Sequence, residues 1–111
     1  MEKNTGKIEM DIKLIPEAYK EYKNLDGSIK ILADNIFAKL EDNPYLGEAL
    51  GNKHNIDLSG FFKIYFNKKK HRVVYRITEE NKIEIIEIWG IGKKDKMEIY
   101  KDVGKRISKR K

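Results

Sequence analysis

The 111-residue sequence contains no cysteine and only two histidines. Without cysteine the chain can form no disulfide, no thiolate zinc site and no cysteine nucleophile, which fits a reducing cytoplasm. Its two histidines, His54 and His71, lie in predicted loops with no carboxylates at ligand spacing. We therefore expect no bound metal and no cofactor.

Long apolar runs and the common catalytic motifs are also missing. No apolar run approaches the roughly 20 residues of a membrane-spanning helix, and the N-terminus lacks the apolar segment of a signal peptide. We expect a cytoplasmic protein without membrane contact. Gly90-Ile91-Gly92 is too short for a phosphate-binding P-loop, and no serine occupies a nucleophile elbow.

Positive charge is concentrated in the second half of the chain. Residues 1–60 contain 8 basic and 11 acidic residues, a balance of −3, whereas residues 61–111 contain 16 and 7, a balance of +9. A basic half of this kind suits a phosphate polymer or an acidic partner protein. The alternative is an ordinary solvated surface rich in lysine.

The first half of the chain predicts a strand followed by two helices. Residues 8–15 alternate apolar and polar side chains, as a half-buried strand does, and Pro16 suits the start of a helix over 17–24. A second helix, capped by Asp26 or Ser28, ends at Asn43-Pro44. The glycine-containing stretch 43–60 is predicted to be an irregular loop. The second helix has an apolar stripe of Ile29, Leu32, Ala33, Ile36, Phe37 and Leu40.

The second half predicts three strands near 61–67, 72–78 and 82–90, then a helix over 95–108. The strand pattern pairs Phe66 with Val73 and Lys63 with Arg76, which leaves Lys68 to His71 as the turn. Ile85-Ile86 breaks the alternation of the third strand, which indicates either a bulge or a strand covered on both faces. The core-facing strand residues are Phe62, Ile64, Phe66, Val73, Tyr75 and Ile77.

These elements predict a single α+β domain over residues 1–111, with the order β-α-α-β-β-β-α. Strands joined by tight turns are antiparallel, so the sheet is mainly antiparallel, with the helical hairpin packed on one face. Residues 1–7 and 108–111 are expected to be frayed ends, within a solvated basic tail.

The other strand face carries basic and phenolic side chains, and Lys94 and Tyr100 follow soon after. RNA can be cut without metal because its own 2′-hydroxyl can attack the adjacent phosphate. This reaction needs cations to stabilise the phosphorane, a base for the 2′-hydroxyl and an acid for the leaving oxygen. Arginines and lysines on a solvated sheet face are the ordinary alternative. The side chains on this face are Lys63, Tyr65, Asn67, Arg72 and Arg76.

Four segments between Ile8 and Ile107 resemble, in order and spacing, motifs of the RelE/ParE superfamily. Its members are toxins of type II toxin–antitoxin systems, which a co-encoded antitoxin neutralises. The segments are Asn43-Pro44…Gly47…Leu50, Asp57-Leu58-Ser59-Gly60-Phe61-Phe62-Lys63-Ile64, His71-Arg72-Val73-Val74-Tyr75 and Gly92-Lys93-Lys94…Ile99-Tyr100.

The resemblance implies a metal-independent endoribonuclease that cleaves mRNA in the ribosomal A site through a 2′,3′-cyclic phosphate. By position, Lys63 and Arg72 match catalytic cations and Tyr100 matches the catalytic tyrosine. Lys94 is the fourth catalytic candidate, as a cation that stabilises the phosphorane. It stands where the family has arginine, so bidentate phosphate recognition is lost, and Tyr65 stands where a second lysine is expected. The remaining RNA-binding candidates are Tyr65, Asn67, Lys68, Lys70, Arg76 and Lys93.

The same resemblance implies protein and RNA partners, and it leaves two alternatives open. The expected partners are a cognate antitoxin that folds on the toxin, the ribosome and mRNA, with operator DNA contacted only through the antitoxin. The ParE branch shares the fold but inhibits DNA gyrase without being a ribonuclease. An inactive family member that only binds antitoxin is the other alternative.

Overall fold

The computed structural model describes residues 10–53, 55–93 and 98–110, and it confirms the predicted α+β class. The helices and strands follow the predicted order, with one additional strand. No helix in the described ranges is both long and apolar enough to span a membrane. The elements are β1 (Met10–Leu14), α1 (Pro16–Lys23), α2 (Gly27–Asp42), β2 (Glu48–Lys53), β3 (Ile56–Phe66), β4 (His71–Glu80), β5 (Ile83–Lys93) and α3 (Glu98–Lys109).

The strands form one sheet in the order β1-β5-β4-β3-β2. Strands β2 to β5 are successive antiparallel neighbours, as predicted for strands with short connections. Strand β1 pairs in parallel with β5, so the first and last strands of the chain are neighbours. Strands β1 and β2 are therefore the two edges of the sheet.

The prediction of an irregular loop over 43–60 is wrong. The segment contains β2 and the first residues of β3, which form an antiparallel pair with Gly51 opposite Leu58. Leu50 and Leu58 are buried against α3, so this pair has an apolar side that glycines and polar residues obscure in the sequence. Gly51 and Gly60 have φ of 62° and 85°, a conformation in which glycine has no steric cost.

The predicted register between β3 and β4 is wrong by two residues. The structure pairs Tyr65 with Arg72 and Ile64 with Val73. The turn is Asn67 to Lys70 instead of Lys68 to His71, because Asn67, Lys68 and Lys69 all adopt left-handed backbone with φ of 56°, 55° and 67°. A shift of two residues keeps every side chain on its predicted face, since side chains alternate with a period of two.

Two apolar cores lie on opposite faces of the sheet. Helices α1 and α2 cover one face, as predicted for the helical hairpin, and α3 covers part of the face predicted to be basic. The predicted burial of Leu32 is wrong, because Leu32 is 36% exposed at the flank of a narrower stripe on α2. The buried α2 residues are Ala33, Ile36 and Leu40.

Strand β5 is covered on both faces, which explains the adjacent buried residues Ile85 and Ile86. A bulge is present in β5 as well, but it lies at Trp89, between the pairs Tyr75–Ile88 and Val74–Gly90. A Cβ atom on Gly90 would lie 3.0 Å from Val103 Cγ2. Glycine at this position therefore allows α3 to pack closely on the sheet.

Ion pairs hold the C-terminal part of α3, which was expected to begin a solvated tail. Arg106 donates two hydrogen bonds to the Glu21 carboxylate, at 3.1 and 2.8 Å, and one to the Trp89 carbonyl at 2.8 Å. Arg110 donates to Glu17 at 2.7 Å. These contacts join α3 to α1 and β5.

Candidate anion-binding site

Three elements bring four of the predicted site residues together. Tyr65 on β3 lies directly opposite Arg72 on β4, and Lys63 is two residues earlier on the same face of β3. Helix α3 packs on this face and places Tyr100 over Arg72. The alternation of β3 and β4 and the position of α3 thus build one cluster from residues distant in sequence.

The Arg72 guanidinium is buried between two phenol rings. Its central carbon lies 4.7 Å from the centre of the Tyr100 ring and 5.7 Å from that of Tyr65, and the residue is 4% exposed. Its Nε atom is buried and contacts no hydrogen-bond acceptor within the described residues. Buried charges are normally paired, so this arginine is suited to receive an anion from outside the chain.

The Lys63 ammonium lies beside this arginine and is held in its charged form. Its Nζ donates a hydrogen bond to the Tyr65 hydroxyl at 2.8 Å and lies 3.4 Å from Glu48 Oε1. The hydrogen bond to Tyr65 is the main reason that the pKa of Lys63 is raised, although burial acts in the opposite direction. Lys63 is therefore suited to bind a phosphate oxygen and unsuited to act as a base.

Glu48 is a site residue that the sequence analysis missed. It lies opposite Lys63 because β2 pairs with β3, and β2 was not predicted. Opposite charges on directly paired strand residues stabilise each other. With the pairing of β2 and β3 known, the opposite charges of Glu48 and Lys63 would have indicated this contact. The Glu48 side chain is 73% exposed, so its carboxylate faces the open side of the cluster.

Further basic residues lie at the same end of the sheet. Lys68 and Lys70 are exposed in the turn after β3, and Lys93 is exposed on β5 opposite His71, which directly precedes Arg72. Asn67 Nδ2 lies 3.1 Å from His71 Nδ1, so this amide holds the turn against β4. Lys94, the fourth predicted catalytic residue, lies outside the described residues.

The structure does not bring Arg76 to this cluster. Arg76 is four residues further along β4 than Arg72, or about 13 Å at the usual rise of a strand. Its Nε donates to Glu87 Oε1 at 2.6 Å, and its guanidinium lies over Trp89 with a centroid distance of 5.0 Å. Its charge is thus compensated within the chain, and its contacts are those of a packing residue.

The cluster combines two cations, two phenols and a carboxylate on one face of the sheet. Such a set can bind a phosphate and exchange protons with it. Within the described residues no three histidine, aspartate or glutamate side chains lie together as metal ligands. The side chains of the cluster can themselves stabilise negative charge and transfer protons.

The comparison with known families identifies the chain. The sequence profile described as the ParE toxin of the type II toxin–antitoxin system parDE matches residues 6–93. A comparison with curated protein sequences finds no match.

Three solved structures share this fold. The free Escherichia coli toxin RelE, as a double arginine-to-alanine mutant, has a TM-score of 0.68 at 18% identity, covering 90% of this chain and 99% of RelE. The YoeB/ParE toxin from Agrobacterium tumefaciens has a TM-score of 0.61 at 15% identity, and the match covers 78% of this chain and 100% of that toxin. The intact E. coli RelBE toxin–antitoxin complex has a TM-score of 0.58 at 16% identity, and the match covers 78% of this chain and 98% of the matched chain. With the profile match over most of its length and this fold, the chain belongs to the RelE/ParE superfamily of type II toxin–antitoxin toxins.

Proposed function

We propose that this toxin is a metal-independent, ribosome-dependent mRNA endoribonuclease that inhibits translation. The observation that carries the proposal is the buried Arg72 guanidinium, which lies between the rings of Tyr65 and Tyr100 and whose Nε contacts no acceptor within the described residues. A cation in this environment favours a tightly bound phosphate, because low local dielectric strengthens its attraction to an anion. Lys63, held charged by Tyr65, supplies a second cation next to it.

In this proposal the chain's residues divide the steps of strand cleavage. The RNA 2′-oxygen forms a bond to the adjacent phosphorus while the bond from phosphorus to the 5′-oxygen breaks, which leaves a 2′,3′-cyclic phosphate. Arg72 and Lys63 stabilise the additional negative charge on the phosphorane. Glu48 takes the proton of the 2′-hydroxyl, and the Tyr100 hydroxyl donates a proton to the departing 5′-oxygen.

The assignment of the base follows from the charges around the cluster. The raised pKa of Lys63 keeps its ammonium protonated at neutral pH, so it cannot accept the proton. Glu48 brings a carboxylate within 3.4 Å of that ammonium and is open to solvent on its outer side. A substrate phosphate bound to Lys63 would therefore place its neighbouring 2′-hydroxyl within reach of Glu48.

Binding to the ribosome is proposed to use the basic end of the sheet. Lys68, Lys70 and Lys93 are exposed there and flank the cluster, and Tyr65 and Asn67 complete the RNA-binding set. Lys94 remains a proposed catalytic cation. Arg76 is not part of the proposed RNA-binding set, because its charge is compensated by Glu87. Ribosomes and mRNA occur together in the cytoplasm, which is the proposed location of the toxin.

A cognate antitoxin is the proposed protein partner. The E. coli RelBE structure is a toxin–antitoxin complex, and a further RelE structure, with a TM-score of 0.60 at 16% identity, contains a peptide of the antitoxin RelB. We propose by this likeness that the present toxin is neutralised by an antitoxin encoded beside it, and that operator DNA is contacted only through that antitoxin.

The deciding experiment is translation in vitro with ribosomes programmed by a defined mRNA, with primer extension to locate cuts. We expect cleavage only in the presence of ribosomes. The cleavage should resist EDTA when free magnesium is kept at the concentration that the ribosome requires. Binding to ribosomes should weaken steeply with salt, since each phosphate contact releases about one counterion. Intact mRNA at saturating toxin would contradict the proposal.

A non-enzymatic inhibitor of DNA gyrase is the second candidate. It is favoured by one observation, the match of residues 6–93 to the ParE profile. Gyrase supercoiling assays separate the two functions, because a gyrase inhibitor leaves mRNA intact and accumulates cleaved DNA complexes. A chain that does neither but binds antitoxin would be the inactive family member.

A further inference from the structure

An open groove of about 720 Å³ runs between α3 and the start of β3. A Cβ atom on Gly104 would lie 2.9 Å from Ile56 Cγ2, so the two elements meet closely at the floor of the groove. Its lining includes Ile56, Asp57, Lys101, Gly104, Lys105 and Ile107. The floor is therefore aliphatic and one wall is basic.

The groove is separate from the candidate catalytic cluster. Asp57 and Tyr65 are eight residues apart on β3, or roughly 26 Å at the usual rise of a strand. Tyr100 is the α3 residue in the cluster, whereas Lys101 and the following turns of α3 line the groove. A ligand in the groove thus has no need to contact Arg72.

Two lysines of the basic wall are available to a partner. Lys101 and Lys105 are exposed and lie one helical turn apart on α3, and no ion pair within the described ranges engages either of them. Lys109 continues the row, but it lies 3.8 Å from Glu17. On the opposite wall Asp57 Oδ1 accepts hydrogen bonds from the Ser59 amide and hydroxyl, at 3.1 and 2.6 Å.

We propose that this groove binds an acidic peptide segment of the antitoxin, with aliphatic side chains on the floor and carboxylates against Lys101 and Lys105. This inference rests on the proposed pairing with an antitoxin. A peptide with alternating acidic and aliphatic residues complements both the charge and the apolar floor of the groove. RNA satisfies only the charge, because none of the described lining residues has an aromatic ring on which a base could stack.

The test is a calorimetric titration of the full chain with overlapping synthetic peptides that tile the antitoxin of the neighbouring reading frame. We expect one acidic, aliphatic peptide to bind, and the double change Lys101→Glu, Lys105→Glu to weaken its affinity on the order of tenfold, since reversal replaces attraction by repulsion. The matched control is Lys20→Glu, Lys23→Glu, two exposed lysines of α1, and it should leave the affinity unchanged.

A second variant tests occupancy of the groove without a change in charge. Ser108 lines the groove and is exposed, so Ser108→Trp should obstruct it and weaken the same peptide while circular dichroism shows an intact fold. The inference is overturned if no peptide binds, if neither variant weakens binding, or if the double change weakens binding to ribosomal RNA instead. Ribosome-dependent mRNA cleavage by the double variant is measured in parallel, so failure of the proposed ribonuclease activity is recorded separately.

Discussion

The hydroxyl of Tyr75 accepts a hydrogen bond from the amide of Gly47 at 2.9 Å, across 28 residues of the chain. The same hydroxyl donates to the Pro44 carbonyl at 2.9 Å, and the Tyr75 ring is fully buried and stacked on Phe62. A Cβ atom at position 47 would lie 2.6 Å from this hydroxyl, which explains the need for glycine. The pair fixes the turn that leads into β2 and hence the position of Glu48.

Tyr75→Phe should therefore lower the free energy of unfolding by about 1–3 kcal/mol, because it leaves a backbone donor and an acceptor unsatisfied. Denaturant unfolding followed by circular dichroism measures this change. Tyr19→Phe is the control, since Tyr19 is 52% exposed and should have no measurable effect. Equal stabilities of the two variants would show that water replaces the Tyr75 hydroxyl at no cost.

The double change Arg72→Ala, Tyr100→Phe should relieve the growth arrest that we expect when the toxin is expressed alone. Loss of the guanidinium removes charge stabilisation of the phosphorane, on the order of 10²–10³ in rate, and Tyr100→Phe removes the proposed acid but keeps the ring. Growth curves and primer extension of cellular mRNA measure the effect. Undiminished toxicity in a folded double variant would favour gyrase as the target.

Glu48→Gln should lower the rate of mRNA cleavage by about 10²–10⁴-fold, as expected for loss of a general base. Affinity for ribosomes should be retained or increased, because the change removes the carboxylate that lies 3.4 Å from the Lys63 ammonium. Single-turnover cleavage on programmed ribosomes separates rate from affinity. A faster cleavage rate in Glu48→Gln would show that Glu48 only competes with the phosphate for Lys63.

The stability of the fold should decrease below the ordinary pKa of histidine because of His71. Burial is the main cause of a lowered pKa at His71, and the lysines Lys93 and Lys70 add to it. The unfolded chain then binds a proton near pH 6.5 that the folded chain resists, so stability is full above this pH and declines as pH falls through it. Thermal unfolding of the wild type and His71→Gln between pH 5 and 8 measures this, and parallel profiles would exclude His71 as the cause.

The sequence predicts which face of each strand a side chain occupies better than it predicts which residues pair. Lys63, Tyr65 and Arg72 fall on one face in both the predicted and the observed register, because alternation is a local property. The two-residue shift depends on the left-handed backbone of Asn67 to Lys69, which lysine rarely adopts and the sequence does not signal.

The sequence predicts the site residues only on those helices and strands that it also predicts. Tyr100 was assigned by resemblance, but its contact with Arg72 depends on α3 crossing the basic face, a matter of tertiary packing. Glu48 was missed because β2 was not predicted. This strand contains a glycine and several polar residues, and its one large apolar residue, Leu50, is buried against α3. Neither contact can be obtained from local propensity, since both depend on partners distant along the chain.

The ion pairs of Arg106 with Glu21 and of Arg110 with Glu17 make the candidate site depend on helix α1 as well as on α3. Tyr100 and Arg106 lie on one helix about 9 Å apart, so a restraint on Arg106 also restrains the tyrosine ring over Arg72. Helix α1 contributes no atom to the cluster, yet it fastens the helix that closes it. Replacement of Glu17 and Glu21 by glutamine would therefore loosen the helix that carries Tyr100 from a distance, without a change to any residue of the cluster or to the strands that hold it.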